Sequence, residues 1–206
     1  MNTAGRLIVL EGGEGAGKST QLAAIADWLR SRDRQVLCTR EPGGSPLAEA
    51  ARTLILADWQ EGMDAHTELL LIFSARAAHL HATIRPALAA GIDVVCDRFV
   101  DATYAYQGAG RGLDTTEIAA LETLVLGDLQ PDLVLLLDLP PELGLQRAQQ
   151  RGDENRFETE TPAFQQRVRE GYLQRAAAAR RYVVIEASQS QAAVTAMIEQ
   201  VLEQRL

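Results

Sequence analysis

The chain has 206 residues, 47% of them hydrophobic, and its 20 Lys+Arg against 28 Asp+Glu leave a formal net charge of −8. That size and composition predict a single domain spanning residues 1–206, with enough apolar material to bury a core without disulfides or a structural metal. The acidic balance argues against sequence-independent binding to nucleic acid or to an anionic membrane, so an anionic ligand must be caught by a local cluster of cations.

No apolar run approaches the length of a membrane span, and Met1–Arg6 lacks the basic-then-apolar pattern of a secretory leader, so a cytoplasmic protein is expected. Cys38 and Cys96 lie in apolar runs without CxxC spacing, and both are expected as buried thiols in a reducing compartment. Lysine occurs once, at position 18.

Along the chain, short β-rich runs alternate with longer amphipathic ones. Leu7–Leu10, Val36–Thr39, Asp93–Cys96, Leu133–Leu139 and Tyr182–Ile185 have strand length and continuous apolarity, which suits parallel strands covered on both faces. After Ser19, the residues Leu22, Ile25, Ala26 and Leu29 recur at helical spacing. Helices are also predicted over Leu47–Ala57, Thr67–Ala90, Thr115–Leu126, Pro141–Gln150, Pro162–Ala179 and Gln191–Leu206, with Pro86 kinking or ending the long one. Strands separated by helices predict an α/β fold, a doubly wound five-stranded parallel sheet flanked by helices in three layers. One polar stretch, Arg151–Thr161, reads either as a solvated loop or as a lid.

Directly after the first strand comes Gly12-Gly13-Glu14-Gly15-Ala16-Gly17-Lys18-Ser19, matching G-x-x-x-x-G-K-[ST], and a helix follows at once. Glycines let the backbone wrap so that N–H groups face phosphate oxygens, and the helix N-terminus adds positive potential. Residues Gly12 to Thr20 are therefore expected to bind a nucleoside triphosphate. Lys18 should reach the β- and γ-phosphates, and the Ser19 hydroxyl should ligate Mg²⁺. Without a second lysine the [NT]-K-x-D guanine element of GTPases cannot exist, and the length suits a small-molecule kinase.

Asp97-Arg98 closes the third apolar run, where ligands gather in open α/β sheets. Asp97 can order the hydration shell of Mg²⁺, and Arg98 can clamp a phosphate. Arg40 and Arg76 are further candidate cations. The competing readings are another monophosphate kinase and a nucleotide-binding switch that has lost transfer. The spacing of His66, His79 and His81 is not that of a metal site, so helix surface or packing is expected for them.

At these residues the chain resembles the bacterial thymidylate (dTMP) kinases. The likeness runs through Leu10–Thr20, Thr39–Gly44 (TREPGG), Glu68–Arg76 (ELLLIFSAR), Asp97–Phe99, Tyr104–Gly108, Gly110–Gly112 and Pro131–Leu133, in order across the chain. The resemblance implies ATP-dependent conversion of dTMP to dTDP with Mg²⁺. It places Glu14 near the 3′-hydroxyl of dTMP, Arg76 on thymine O4 and Phe73 stacked on the base. Arg98 would hold the acceptor phosphate, with Pro42, Thr103 and Gln107 beside the nucleotide.

Glycine at position 15 implies the family type whose catalytic arginine comes from a lid, here about residues 147–161. Arg151 occupies the lid-arginine position, Arg147 and Arg156 are supporting cations, and Glu158 is a lesser candidate near sugar or metal. Phe157 stands where tyrosine is frequent. The resemblance further implies a homodimer formed through helices, to which Thr67–Ala90 and Thr115–Leu126 could contribute.

Overall fold

The computed structural model describes residues 4–149 and 156–206. Strands β1 (Leu7–Glu11), β2 (Val36–Arg40), β3 (Asp93–Asp97), β4 (Leu133–Asp138) and β5 (Tyr182–Glu186) form one parallel sheet in the order β2-β3-β1-β4-β5. The helices, in chain order, are α1 (Lys18–Arg30), α2 (Pro46–Leu56), α3 (Ala65–His79), α4 (Arg85–Ala89), α5 (Val100–Thr103), α6 (Thr115–Leu126), α7 (Pro141–Gln149), α8 (Pro162–Ala177) and α9 (Gln191–Arg205). All five residues of β1 are buried, and it pairs with β3 (Val9 opposite Cys96) and with β4 (Val9 opposite Val134).

The pleat sends alternate side chains to opposite faces, which divides the core in two. Leu7, Val9, Val94 and Cys96 pack with Leu69 and Phe73 of α3 and with Ile118 and Leu126 of α6. Ile8, Leu10, Val95 and Leu135 pack instead with Ile25 and Leu29 of α1 and with Ile198 and Leu202 of α9. The predicted strands and the layered architecture are thus present, with one difference. β2 and β5 are the sheet's edges and are only partly covered, so Cys38 is exposed while Cys96 is buried. Apolar β-branched runs satisfy an edge strand as well as a central one, which is why the sequence could not separate them.

The predicted long helix is continuous from α3 to α4 but widens to a π turn at Leu80–Ile84. Pro86 opens α4 in its first turn, and its missing N–H deprives a carbonyl one turn earlier of a donor, which the wider turn accommodates. A second π turn, Tyr104–Gly110, extends α5 and was not expected from its glycine-rich sequence. Its neighbour α8 stabilises it, since Phe164, Val168 and Tyr172 form a small core with Ala105 and Tyr106.

Helix α7 meets the glycine-rich loop backbone to backbone. A Cβ on Gly144 would lie 2.3 Å from the Glu14 carbonyl oxygen, and one on Gly15 2.1 Å from the Gly144 carbonyl oxygen. Neither backbone can yield as a flexible side chain would. Gly144→Ala is therefore expected to lower the unfolding free energy by about 1–3 kcal/mol, the cost of overpacking a close contact. The shift appears in the urea midpoint at unchanged slope; an unchanged midpoint would show that the two backbones do not meet.

Candidate active site

Between β1 and α1 the loop turns through Gly15 and Gly17, both at positive φ, and α1 starts at Lys18. The Lys18 side chain folds back so that Nζ donates to the carbonyl oxygens of Gly12 (3.1 Å) and Gly13 (2.9 Å). Burial pulls its pKa below the ordinary lysine value, and the nearby Arg98 cation adds to that. The residues Glu14 to Thr20 line a cavity of about 580 Å³ together with Arg40, Asp97, Arg98, Arg147 and Glu158. That volume is ordinary for a small-molecule site.

Asp97 ends β3 and lines this cavity, with Oδ1 buried and without a hydrogen-bond partner among the described residues. Ser19 lines the same space. The buried Asp97 oxygen and the Ser19 hydroxyl fit the outer and inner shells of a hard divalent cation.

Arg98 follows in a left-handed conformation (φ 68°), unusual for a residue with a side chain, and Leu10 O accepts its N–H at 2.8 Å. Its guanidinium donates to Gly12 O (2.8 Å), Tyr172 Oη (3.0 Å) and Glu14 Oε1 (2.7 Å), with the Tyr106 ring 4.9 Å away. Burial opposes the charge, but Tyr106, Glu14 and Tyr172 outweigh it and hold the guanidinium firmly protonated. Tyr106 Oη also donates to Glu14, at 2.8 Å.

Arg98, Glu14, Glu41 and Arg52 are shared with a second, more apolar cavity. Its wall includes Pro42, Ile55, Ile72, Arg76, Phe99, Thr103, Gln107 and Phe157. Arg76 is buried there and donates to Glu41 Oε2 (2.6 Å), Thr103 Oγ1 (3.1 Å) and Phe99 O (3.0 Å). These bonds use three of its five N–H donors. Glu41 also meets His79 Nδ1 at 3.0 Å, and His79 Nε2 lies 2.7 Å from Thr39 Oγ1. Burial would raise the Glu41 pKa, yet Arg76 and His79 hold it below the usual carboxylate value. His79, expected to be inert, is thus part of the frame around Arg76.

The expected base-stacking residue requires correction. Phe73 is in the core cluster, with Arg76 above its ring at 4.9 Å, and the helix residue reaching the cavity is Ile72. Residues 72 and 76 share a helical face, whereas 69 and 73 face the sheet.

Arg52 was not anticipated. It lines both cavities, donates to Pro42 O at 2.8 Å, and has its pKa lowered by burial first and by Arg40 second. Its signal in the sequence was an arginine on the same face of α2 as the buried Ala48 and Ile55.

Among the lid cations, Arg147 donates to Ala187 O (3.0 Å) and Ser188 O (3.4 Å) and borders the glycine-rich loop. Arg156 turns away from the phosphate cavity to pair with Glu68 at 2.6 Å. Arg151 lies outside the described residues.

The profile of the thymidylate kinase family matches residues 10–198. The thymidylate kinase of Chromohalobacter salexigens is 58% identical over 99% of this chain and 98% of its own length. That of Pseudomonas syringae pv. tomato is 58% identical over 98% of this chain and 97% of its own. A crystal structure of thymidylate kinase from Ehrlichia chaffeensis superposes with a TM-score of 0.78 at 32% identity, covering 97% of this chain and 99% of that one. The chain belongs to the thymidylate kinase family.

This thymidylate kinase family member also buries a carboxylate beneath the site. Glu11 closes β1, and its Oε1 accepts the Phe99 N–H at 2.8 Å. Burial pushes its pKa from 4.5 up to about 7, with repulsion from Asp101 adding to the shift. The folded state then holds a proton that the unfolded chain has lost, so stability falls as pH rises from about 4.5 to 7 and levels off above. Glu11→Gln keeps the acceptor for Phe99 and removes the titration. The stability difference between variant and wild type is expected to grow across that interval in the variant's favour. A difference independent of pH would show that Glu11 does not titrate there.

Proposed function

We propose that the chain transfers the γ-phosphoryl group of ATP to dTMP, giving ADP and dTDP, as one cytoplasmic domain with a lid at about residues 147–161. The observation that carries this reading is the junction of the two cavities. Glu14, Arg52 and Arg98 line both the phosphate cradle and the pocket around Arg76. A donor triphosphate in one and an acceptor nucleotide in the other would meet at these arginines. The 58% identity to named thymidylate kinases supports dTMP as that acceptor.

In the reaction, an acceptor phosphate oxygen forms a bond to the γ-phosphorus as the bond to the β,γ-bridging oxygen breaks, in line. The attacking oxygen is already anionic, so the protein supplies placement and positive charge rather than a base. Lys18 exchanges the Gly12 and Gly13 carbonyls for phosphate oxygens. Arg98 exchanges Glu14 for the acceptor phosphate, and Arg52 adds charge at the same junction. Glu14, which also accepts from Tyr106, would then take the sugar 3′-hydroxyl in place of Arg98.

Arg76 offers only donors, which favours the carbonyl at C4 of thymine over the amino group of cytosine. Thr103, Gln107 and Pro42 border the base and sugar, and Ile72 takes over the wall position first given to Phe73. Mg²⁺ would be held by Ser19 directly and by Asp97 through water, where it would supply positive charge against the β- and γ-phosphates. The cavity bordered by Arg147, Gln189 and Gln191 beside the loop suits the donor's adenosine.

Arg151 is assigned the charge-neutralising role in the lid on its sequence position. Its replacement by Ala is expected to lower kcat about a thousandfold, the usual worth of such an arginine, while KM for dTMP changes little. Normal turnover in that variant would remove Arg151 from catalysis. The reading as a whole is tested by ADP release with Mg²⁺ across dTMP, dUMP, UMP, CMP, AMP and GMP, with the diphosphate product identified. A strong preference for dTMP is expected, and preference for another acceptor would overturn the assignment of Arg76 and Gln107.

The chain is also proposed to work as a homodimer, without nucleic-acid or membrane partners. Leu70 on α3 and Leu124 on α6 are 56% and 79% exposed, on adjacent helices. Leu124→Glu is expected to shift the sedimentation coefficient from dimer to monomer, and a wild type that sediments as a monomer refutes the dimer.

A further inference from the structure

Glu68, in the first turn of α3, is fully buried, yet side chains from two other segments converge on its carboxylate. Gln107 of the second π turn donates its amide Nε2 to Oε1. Arg111, just after that turn, reaches Oε2 at 3.3 Å and also pairs with Glu160. Arg156 reaches Oε2 at 2.6 Å and gives its Nε to the carbonyl of Ile55 at the end of α2. The adjacent Phe157 lies under the Arg156 guanidinium at 4.4 Å, meets Tyr106 edge-on at 5.5 Å, and forms part of the acceptor pocket wall. Two carboxylates and two guanidiniums balance in charge, which offsets the cost of burying Glu68. Charge balance alone would require neither the bond to Gln107 nor the tie to residues 156–160.

We propose that Glu68 is a positioning residue that orients Gln107 for recognition of the acceptor base and fastens the Phe157 segment over the same pocket. A carboxylate only accepts, so Gln107 must turn its NH₂ toward Glu68 and its carbonyl oxygen toward the pocket it lines. That oxygen complements a pyrimidine with an N3–H, such as thymine, and opposes cytosine, whose N3 is an acceptor. Arg156, bound to the same carboxylate, holds Phe157 in place as the pocket's lid-side wall. Selection of the base and seating of the lid's root thus depend on one side chain. This inference rests on the dTMP kinase reading above.

The test uses full-length wild type, Glu68→Gln and Arg156→Gln, with kcat, KM for dTMP, KM for ATP, and the ratio of kcat/KM for dTMP over dCMP. A glutamine at position 68 both donates and accepts, so Gln107 is released to turn. Glu68→Gln is expected to raise KM for dTMP and to lower the dTMP/dCMP ratio, each by about tenfold, the scale of one lost buried hydrogen bond. KM for ATP should stay within about twofold, since no donor-site group is touched. Arg156→Gln should raise KM for dTMP while keeping the ratio, because Gln107 retains its carboxylate.

An unchanged ratio in Glu68→Gln overturns the proposal, as does a KM for ATP that rises in step with that for dTMP. Should Glu68→Gln not fold, Arg156→Gln decides: a raised KM for dTMP supports the proposal and an unchanged one overturns it. A wild type without preference for dTMP overturns the functional reading itself, a result visible before any variant is made.

Discussion

A largely buried guanidinium, that of Arg98, is the constraint around which the site is assembled. It reaches the glycine-rich loop at Gly12 and Glu14, the second π turn at Tyr106 and helix α8 at Tyr172. A cation withdrawn from water needs partners on every side, and those here come from three separate segments. The left-handed backbone at Arg98 turns the chain at the end of β3 so that the side chain can reach them. The edge of the sheet's carboxyl end, the loop and two helices are thereby fixed relative to one another by a single charge.

The same logic repeats at greater depth. Arg76 is framed by Glu41 and His79, and Glu68 is framed by Arg111 and Arg156. Both carboxylates reach segments far apart in sequence; Glu41 and Arg76 line the acceptor pocket, and Glu68 meets it through Gln107. Such pairs contribute less to stability than their Coulomb energy suggests, because desolvation opposes it. Their effect is to make one arrangement of polar groups far better than its alternatives. An acidic chain can in this way hold a cationic site: Arg52, Arg76 and Arg98 converge locally although the net charge is −8.

Much of the fold was legible in the sequence because the hydrophobic pattern speaks directly of strands and helices. The five strand runs and the glycine-rich loop between β1 and α1 needed only local information. What was missed depended on neighbours. Apolarity alone could not distinguish the edge strands β2 and β5 from the centre, and so misplaced Cys38. Phe73 was assigned to stacking through the family resemblance, whereas the helix phase sends position 73 to the sheet and Ile72 to the cavity. The second π turn reads as a loop until α8 covers it. Arg52 looks like a surface cation until its partner Pro42 is known, and Arg156, expected as a supporting lid cation, is claimed by Glu68.

The placement of Lys18 has a practical corollary. No other residue carries an ε-amine, and this one is drawn against the Gly12 and Gly13 carbonyls inside the phosphate cradle. Its lowered pKa enriches the neutral, nucleophilic form relative to an ordinary lysine. Amine-directed acylation of the side chains therefore reports on one point in the molecule. A bound triphosphate and a modifying reagent compete for the same nitrogen, so labelling at Lys18, resolved from that of the α-amine, becomes a readout of cradle occupancy.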